Sequence, residues 1–424
     1  MKKLATALSL SAILITGVQA SSLEERVKAL EEQNSVLTEE VLATQTGGFT
    51  LVDTAKSYSG MGPAASKVYF SKNPLSIGGY GEMFYANPEE GGDYADVYRF
   101  ITYFGYKFND WIILNTEIEF EHGADSNNGG KVVVEFFYLD FLLSEQANLR
   151  LGHVLTPMGL VNLRHEPTLF NTVQRPDIEK HLLPSTWHEN GALVYGRFDN
   201  ADIDYTVGMI NALNLDSVKT ASANSGWIRS GRLGASKDAS FEPAFVGRVD
   251  YSGINGLMVG ASVYYGDGSN TKNDPDSTSG LTTTIFDIHA SYDNGPFSVY
   301  GLYTQTNLDG AEGLTKTVVN DDTSTTTYAG QAVEKASGYY ANVSYDLSSM
   351  VGLEYKLPVF AQYQNYNPVE KTVDGLNEDE FQTEVVTIGL NFFPADQVVL
   401  KADYEMRDGY KEGDKFSFGL GFIF

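Results

Sequence analysis

Between Thr156 and Asn190 the chain gathers Arg164, His165, Arg175, Lys180, His181 and His188 together with Glu166, Asp177, Glu179 and Glu189. Fixed positive charge in a narrow, partly dehydrated passage lowers the energy of an anion there, and carboxylates opposite it would set up a transverse field. The same side chains could instead pair with one another and with carboxylates on neighbouring elements, pinning the segment in place. The stretch also carries Leu160, Leu163, Leu169, Phe170, Leu182, Leu183 and Trp187 among its prolines and charges. A connection of this length and apolar content is better explained by folding back against protein than by standing in water. Residues 156–190 are therefore expected to turn inward and narrow whatever they enter.

Other chemistry is thinly represented. His165-Glu166 and His188-Glu189 lack the second histidine of a zinc-protease helix, and no Gly-x-x-x-x-Gly-Lys phosphate loop occurs. Asp267 to Asp276 is rich in Asp and Asn but misses the calcium-loop spacing. With no cysteine there is neither a disulfide framework nor a thiolate metal site. A histidine-based site at an outer rim would have to use a residue such as His289, and nothing in the sequence supports one. The reading is of a protein without catalysis, cofactor or metal.

The elements that would position the inward segment are strands. In Trp111-Ile-Ile-Leu-Asn-Thr-Glu-Ile-Glu-Phe-Glu121, Ile112, Leu114, Thr116, Ile118 and Phe120 share one face, and Asn115, Glu117, Glu119 and Glu121 the other. Carboxylates at every second residue cannot all face lipid, so that side is expected to see water. The stretch Phe416-Ser-Phe-Gly-Leu-Gly-Phe-Ile-Phe424 alternates in the same way, with Phe416, Phe418, Leu420, Phe422 and Phe424 on one face. In a soluble protein this would be a sticky edge, whereas a closed barrel in lipid needs such an outer band.

Period-two alternation recurs from Leu75 to the end and resolves into sixteen segments, an even number as a single-chain barrel with both ends on one side requires. Short turns such as Asn109-Asp110, Asn200-Ala201 and Asn255-Gly256 alternate with long polar connections such as 213–242, 266–281 and 305–337. The expected fold is an all-β, transmembrane, 16-stranded antiparallel outer-membrane barrel with an aqueous bore. Its inward faces mix signs. Arg99, Lys107, Arg150, Arg197, Arg248, Lys401 and Arg407 are offset by Glu117, Glu119, Glu121, Asp140, Asp204, Asp250, Asp287, Asp403 and Glu405. Of these, Arg99, Arg150, Arg197, Arg248, Glu117 and Glu119 join Arg164, His165, Arg175, Lys180 and His181 as candidate constriction residues.

Ahead of the barrel, Met1-Lys-Lys, the apolar stretch Leu4 to Val18 and Val18-Gln-Ala20 read as a signal peptide over 1–20. Over 21–43, Leu23, Val27, Leu30, Asn34, Leu37 and Val41 form an a/d heptad seam flanked by acidic residues. A lone helix of about 20 residues buries such a stripe by self-association, so a periplasmic, oligomerising coiled coil is expected, its register fixed by Asn34. Residues 44–73, rich in Gly, Ser and Thr with Pro63, read as a linker, and 74–424 as the barrel. Three-fold closure would let the helices meet on one axis, giving a homotrimer. The chain has 55 acidic and 29 basic residues and a formal net charge of -26, which disfavours nucleic acid as a partner.

Leu149-Arg-Leu-Gly-His-Val-Leu-Thr-Pro-Met-Gly159, followed by Arg175-Pro176, Pro184 and Glu189-Asn-Gly191, resembles a segment of the phosphate-selective porin O and P type family. There a strand ends in a Gly-x-x-x-x-Pro-x-Gly turn before the inward loop. The heptad segment is similar to that of DcaP-type trimeric porins, which carry a periplasmic coiled coil before a sixteen-stranded barrel. The resemblance implies a Gram-negative outer-membrane porin, in contact with lipid and lipopolysaccharide, that passes small hydrophilic solutes. Phosphate-specific members line their passage with a dense ladder of Arg and Lys. The mixed charge here departs from that, and a milder preference for small anions, dicarboxylates or phosphate, is the expectation. The competing expectation is a non-channel binding or structural protein, an adhesin or an envelope tether.

Overall fold

The computed structural model describes residues 51–215, 227–234, 242–269, 280–314, 317–319, 325–327, 332–373, 381–410 and 413–424. Sixteen strands close into one antiparallel barrel. They are β1 (Leu75–Pro88), β2 (Tyr94–Lys107), β3 (Ile112–Glu121), β4 (Lys131–Phe141), β5 (Asn148–Leu155), β6 (His188–Phe198), β7 (Ile203–Asn211), β8 (Pro243–Ile254), β9 (Leu257–Asp267), β10 (Thr282–Asn294) and β11 (Phe297–Asp309). After a separate small hairpin, β12 (Thr317–Val319) and β13 (Thr325–Thr327), the ring continues with β14 (Val333–Asp346), β15 (Pro358–Thr372), β16 (Thr383–Ala395), β17 (Val398–Gly409) and β18 (Lys415–Ile423). Each strand pairs with its chain neighbour, β11 pairing with β14 across the hairpin, and β1 pairs with β18 to shut the ring, Tyr80 opposite Ile423. Gly79 and Phe424 exchange both backbone bonds at 2.9 Å beside that seam.

The alternation has the physical consequence the sequence implies. Phe416 and Phe418 are exposed on the outer face of β18, while Ser417, Gly419 and Gly421 are buried within. Along β16 and β17, Val386, Ile388, Leu390, Tyr404 and Met406 are likewise outward. An outer surface of aromatic and branched side chains over an inner face of Asn, Gln, Thr and charge is the arrangement a barrel needs in oil. No helix among the described residues is long and apolar enough to cross a membrane.

The inside of the ring is largely filled by three segments. The first is a correction to the linker reading: residues 51–73 do not run free but pack against the inner wall, with helix α1 (Pro63–Phe70) against β1, β2 and β3. Val52, Met61, Ala64, Ala65 and Val68 are buried. The Gly, Ser and Thr among which they stand make the stretch read as linker. Gly105 leaves room for Val68, since a Cβ on that glycine would lie 2.4 Å from the valine side chain. The second segment, 156–187, carries helix α2 (Asp177–His181). The third comes from the outer connection after β7, where Leu213, Leu215, Trp227 and Ile228 are buried, the last two in α3 (Trp227–Ser230). That connection read as polar loop, yet Trp227 Nε1 donates to the Pro368 carbonyl at 2.7 Å. A further helix, α4 (Ser348–Val351), lies on the connection between β14 and β15. The heptad seam and the leader lie outside the described residues.

Candidate functional site

The segment between β5 and β6 runs from Thr156 to Trp187, three residues shorter than expected because His188, Glu189 and Asn190 already belong to β6. It is tied to strands all round the ring. Arg99 of β2 donates to the His165 carbonyl at 3.1 Å, and the Gly159 N–H donates to Asp287 of β10 at 3.0 Å. Asn171 donates to Asn342 of β14 at 2.7 Å and accepts from Asn391 of β16 at 2.9 Å. The Val173 N–H donates to Asp403 of β17 at 2.6 Å, and Lys401 donates to the carbonyls of Phe170 and Thr172 at 2.7 and 2.9 Å. On the far wall Gly419 and Gly421 let the segment approach: a Cβ on Gly421 would lie 2.7 Å from Pro167 and one on Gly419 3.0 Å from Val173. The chain therefore bridges the bore from the β5–β6 side to the seam.

Its carboxylates act as internal fasteners. Glu166 accepts from the N–H groups of Ala64 and Ala65 at 3.2 and 2.9 Å, capping α1, whose own N-cap Gly62 offers no side chain. The first amides of a helix need such an acceptor, and its dipole favours a negative one. Gly62 is required there, because a Cβ would lie 2.3 Å from Glu166 Oε1. Burial pushes the Glu166 carboxyl up to about 6, the two amides opposing. Glu179 accepts from the Val161 N–H at 2.7 Å and the Tyr340 hydroxyl at 2.5 Å, yet burial holds it up at about 7. For Asp177 burial acts upward, but Arg407 at 2.8 Å, with His181 and Lys180, holds it below the usual carboxylate range.

The candidate constriction residues divide into two groups. Arg99 and Arg150 are buried in the wall: Arg99 is paired with Glu82 and donates to the Tyr80 hydroxyl at 2.7 Å, and Arg150 makes a two-pronged pair with Asp140 at 2.8 and 2.9 Å. Glu117 and Glu119 are buried beside them. His165 packs against Glu117, and Arg175 donates to the Ser185 hydroxyl at 3.2 Å. These residues do not present charge to a solute, and for them the pinning alternative describes the geometry. Lys180 and His181 sit half-buried on α2.

The second group faces a chamber of about 510 Å³ bounded by Ser57 to Gly60, Leu160, Leu163, Arg164 and the inner faces of β6 to β9. Arg197 and Arg248 line it with Asp204 and Asp250. Arg197 is engaged by Asp199, Asp202 and Asp204 at 3.0, 3.0 and 2.5 Å, and Arg248 donates to Asp250 at 2.6 Å and to the Gly159 carbonyl at 2.5 Å. Arg164 differs: it is exposed at the chamber, and its guanidinium has no hydrogen bond or ion pair among the described residues, Glu166 and Asp293 acting on it only at longer range. The turns at Glu145 and Asn148 place this chamber at the end of the barrel that carries the short connections. Sequence reasoning missed Glu135. It names Glu166 and Glu179 only as opposing charge, and no local signal gives their partners, which lie as far away in the chain as Ala64 and Tyr340.

No protein-family model matches the chain. It is 33% identical over 363 residues to an uncharacterized protein of Aquifex aeolicus (strain VF5), an alignment covering 84% of this chain and 81% of that one. Among solved structures it resembles the anion-selective porin from Comamonas acidovorans with a TM-score of 0.53 at 13% identity, over 82% of this chain and 99% of the porin. The trimer form of OmpT from Vibrio cholerae gives 0.52 at 14%, over 82% and 99%. The outer-membrane channel DcaP of Acinetobacter baumannii gives 0.50 at 11%, over 82% and 97%. At these identities the likeness is one of fold: the closed barrel is that of outer-membrane porins.

Proposed function

The chain belongs to one family with the Aquifex aeolicus protein, and we propose that its barrel is an outer-membrane porin, a passive diffusion channel for small hydrophilic solutes working without catalysis or cofactor. The observation that carries this reading is the bridge of residues 156–187 across a sixteen-stranded, inwardly polar ring, with an open chamber beneath it. A ring of this size needs such a bridge to become selective, since sixteen strands otherwise leave a wide aqueous lumen. Among the fold neighbours one is named an anion-selective porin, one an outer-membrane channel and one an outer-membrane protein in trimer form. A trimer in the Gram-negative outer membrane, in contact with lipid and lipopolysaccharide and joined by a periplasmic coiled coil over 21–43, extends the same reading. So does the likeness to the phosphate-selective porin O and P type family.

Arg164 is the residue that would set the preference. Of the three arginines that line the chamber, Arg197 and Arg248 are engaged by aspartates, so the Arg164 guanidinium is the one left to meet a solute anion directly. A mild preference for small anions such as dicarboxylates follows, weaker than in a channel lined by an arginine ladder. Reversal potentials across a planar bilayer in a salt gradient test it. Wild type is expected to favour the anion and Arg164→Glu to shift toward the cation, whereas cation selectivity in wild type would refute the preference. Liposome swelling with sugars tests the channel itself, and an impermeable barrel would point to the binding or tethering alternative.

A further inference from the structure

A cluster on β3 and β4, apart from the chamber, is not explained by solute passage. Glu117 and Glu135 are fully buried, and His165 reaches them from the inward segment with 3% of its surface exposed. The His165 Nδ1–H donates to the Asn162 carbonyl at 2.7 Å, since a carbonyl can only accept, and this aims Nε2 at the carboxylates. Nε2 lies 3.2 Å from Glu117 Oε1 and 3.4 Å from Glu135 Oε2. Asn162 is itself fixed, donating to the carbonyls of Thr156 and Trp187 at 2.7 and 2.9 Å and accepting from the Trp187 N–H at 2.7 Å.

Glu135 reaches this place through a β-bulge. Glu117 pairs with Phe136 and Ile118 with Val134, leaving Glu135 as the extra residue. Glu135 and Phe136 therefore both turn inward, against the alternation of the strand. Having been brought inside, Glu135 finds no hydrogen-bond donor for either oxygen, and Glu117 Oε2 and Glu119 Oε1 lack one too. Of the nearby cations, Arg99 is held by Glu82 and stands 3.9 Å from Glu119, and Arg232 donates to the carbonyls of Pro184 and Thr186 at 3.4 and 2.7 Å. Buried carboxylates left in this condition call for a positive partner.

We propose that Glu117, Glu135 and His165 form a binding site for a divalent transition-metal ion of the zinc type, fastening the inward segment to the barrel wall. The candidate ligand atoms all lie within 4.8 Å of one another. Two of the separations match the edge of about 3.3 Å in a tetrahedron whose bonds are about 2.0–2.1 Å. One imidazole with two carboxylates suits zinc or cobalt; calcium and magnesium favour all-oxygen sets, and copper(I) needs sulfur. Asn162 holds the imidazole by its other nitrogen, the arrangement that orients metal-bound histidines. The sequence shows no metal motif because its ligands stand on two strands and a remote turn, one of them exposed to the site only by the bulge.

The test uses the full chain folded into detergent micelles with zinc, with cobalt or with chelator, and then dialysed. Heat-modifiable migration on gels confirms that each sample is folded. Wild type is expected to retain about one zinc per chain by elemental analysis and to show the visible absorption bands of tetrahedral cobalt(II). Glu135→Gln and His165→Asn should abolish both signals. A folded wild type that holds no zinc and shows no cobalt bands would overturn the site, as would undiminished binding by both ligand variants. His165 would then stand as an imidazolium shared by the two carboxylates. Neither readout depends on conduction, so failure here leaves the channel reading untouched, and the reverse also holds.

Discussion

Two stretches of the inner wall, β2 to β5 and β6 to β8, carry the same kind of side chains and use them differently. On the first, Arg99 and Arg150 lie under α1 and the inward segment, each locked to a buried carboxylate. On the second, Arg197 has three aspartate partners yet remains partly exposed, its side chain 36% accessible beside the chamber. Strand alternation placed all three arginines inside; what separates them is whether another segment covers them. Where the wall is covered, an ion pair is part of the packing, and where it is open the pair is screened and its partner exchangeable.

This contrast can be broken most directly at Asp140. Asp140→Ala leaves Arg150 buried without its partner and is expected to cost about 3–5 kcal/mol, read as a lower denaturant midpoint in micelles. Gly421→Val forces the wall away from Pro167 and should cost about 1–3 kcal/mol, with Gly421→Ala falling in between. Acidity gives a smaller effect on the covered side. Glu179 stands at about 7 when folded against a model value of 4.5, so the folded state holds its proton more tightly. Stability should therefore rise as pH falls from about 7 toward about 4.5, seen as a higher melting temperature at pH 5 than at pH 8. Glu179→Gln should shrink that difference. On the open side, Arg197→Ala should cost less than about 1 kcal/mol. A loss at Arg197 as large as that at Asp140 would erase the distinction between covered and open wall.

Much of the barrel was legible because its strands obey one strict period: Glu117 and Glu119 against Ile118 and Phe120 can only mean two unlike surroundings. The inward course of 156–187 was also legible, from Leu163, Phe170 and Trp187 standing among prolines. Segment 51–73 was not, since residues as small as Ala64, Ala65 and Ser66 carry little hydrophobic signal and bury only because the wall admits the helix closely, as Gly105 does at Val68. Glu135 was hidden for another reason. A bulge inserts no signature residue, so period-two reading places its neighbours correctly while missing that two successive side chains share one face. Pairings such as Glu166 with α1 depend on tertiary geometry alone.

The seam between β1 and β18 bears on how the molecule comes into being. Every other pairing in the ring joins segments close in the chain, so hairpins can be added one after another, but the union of Tyr80 with Ile423 must wait for all of them. Until then two strand edges would lie bare in oil, which hydrocarbon does not tolerate. Insertion and closure are thus bound into a single late step, and a half-built ring has no stable resting place in the bilayer.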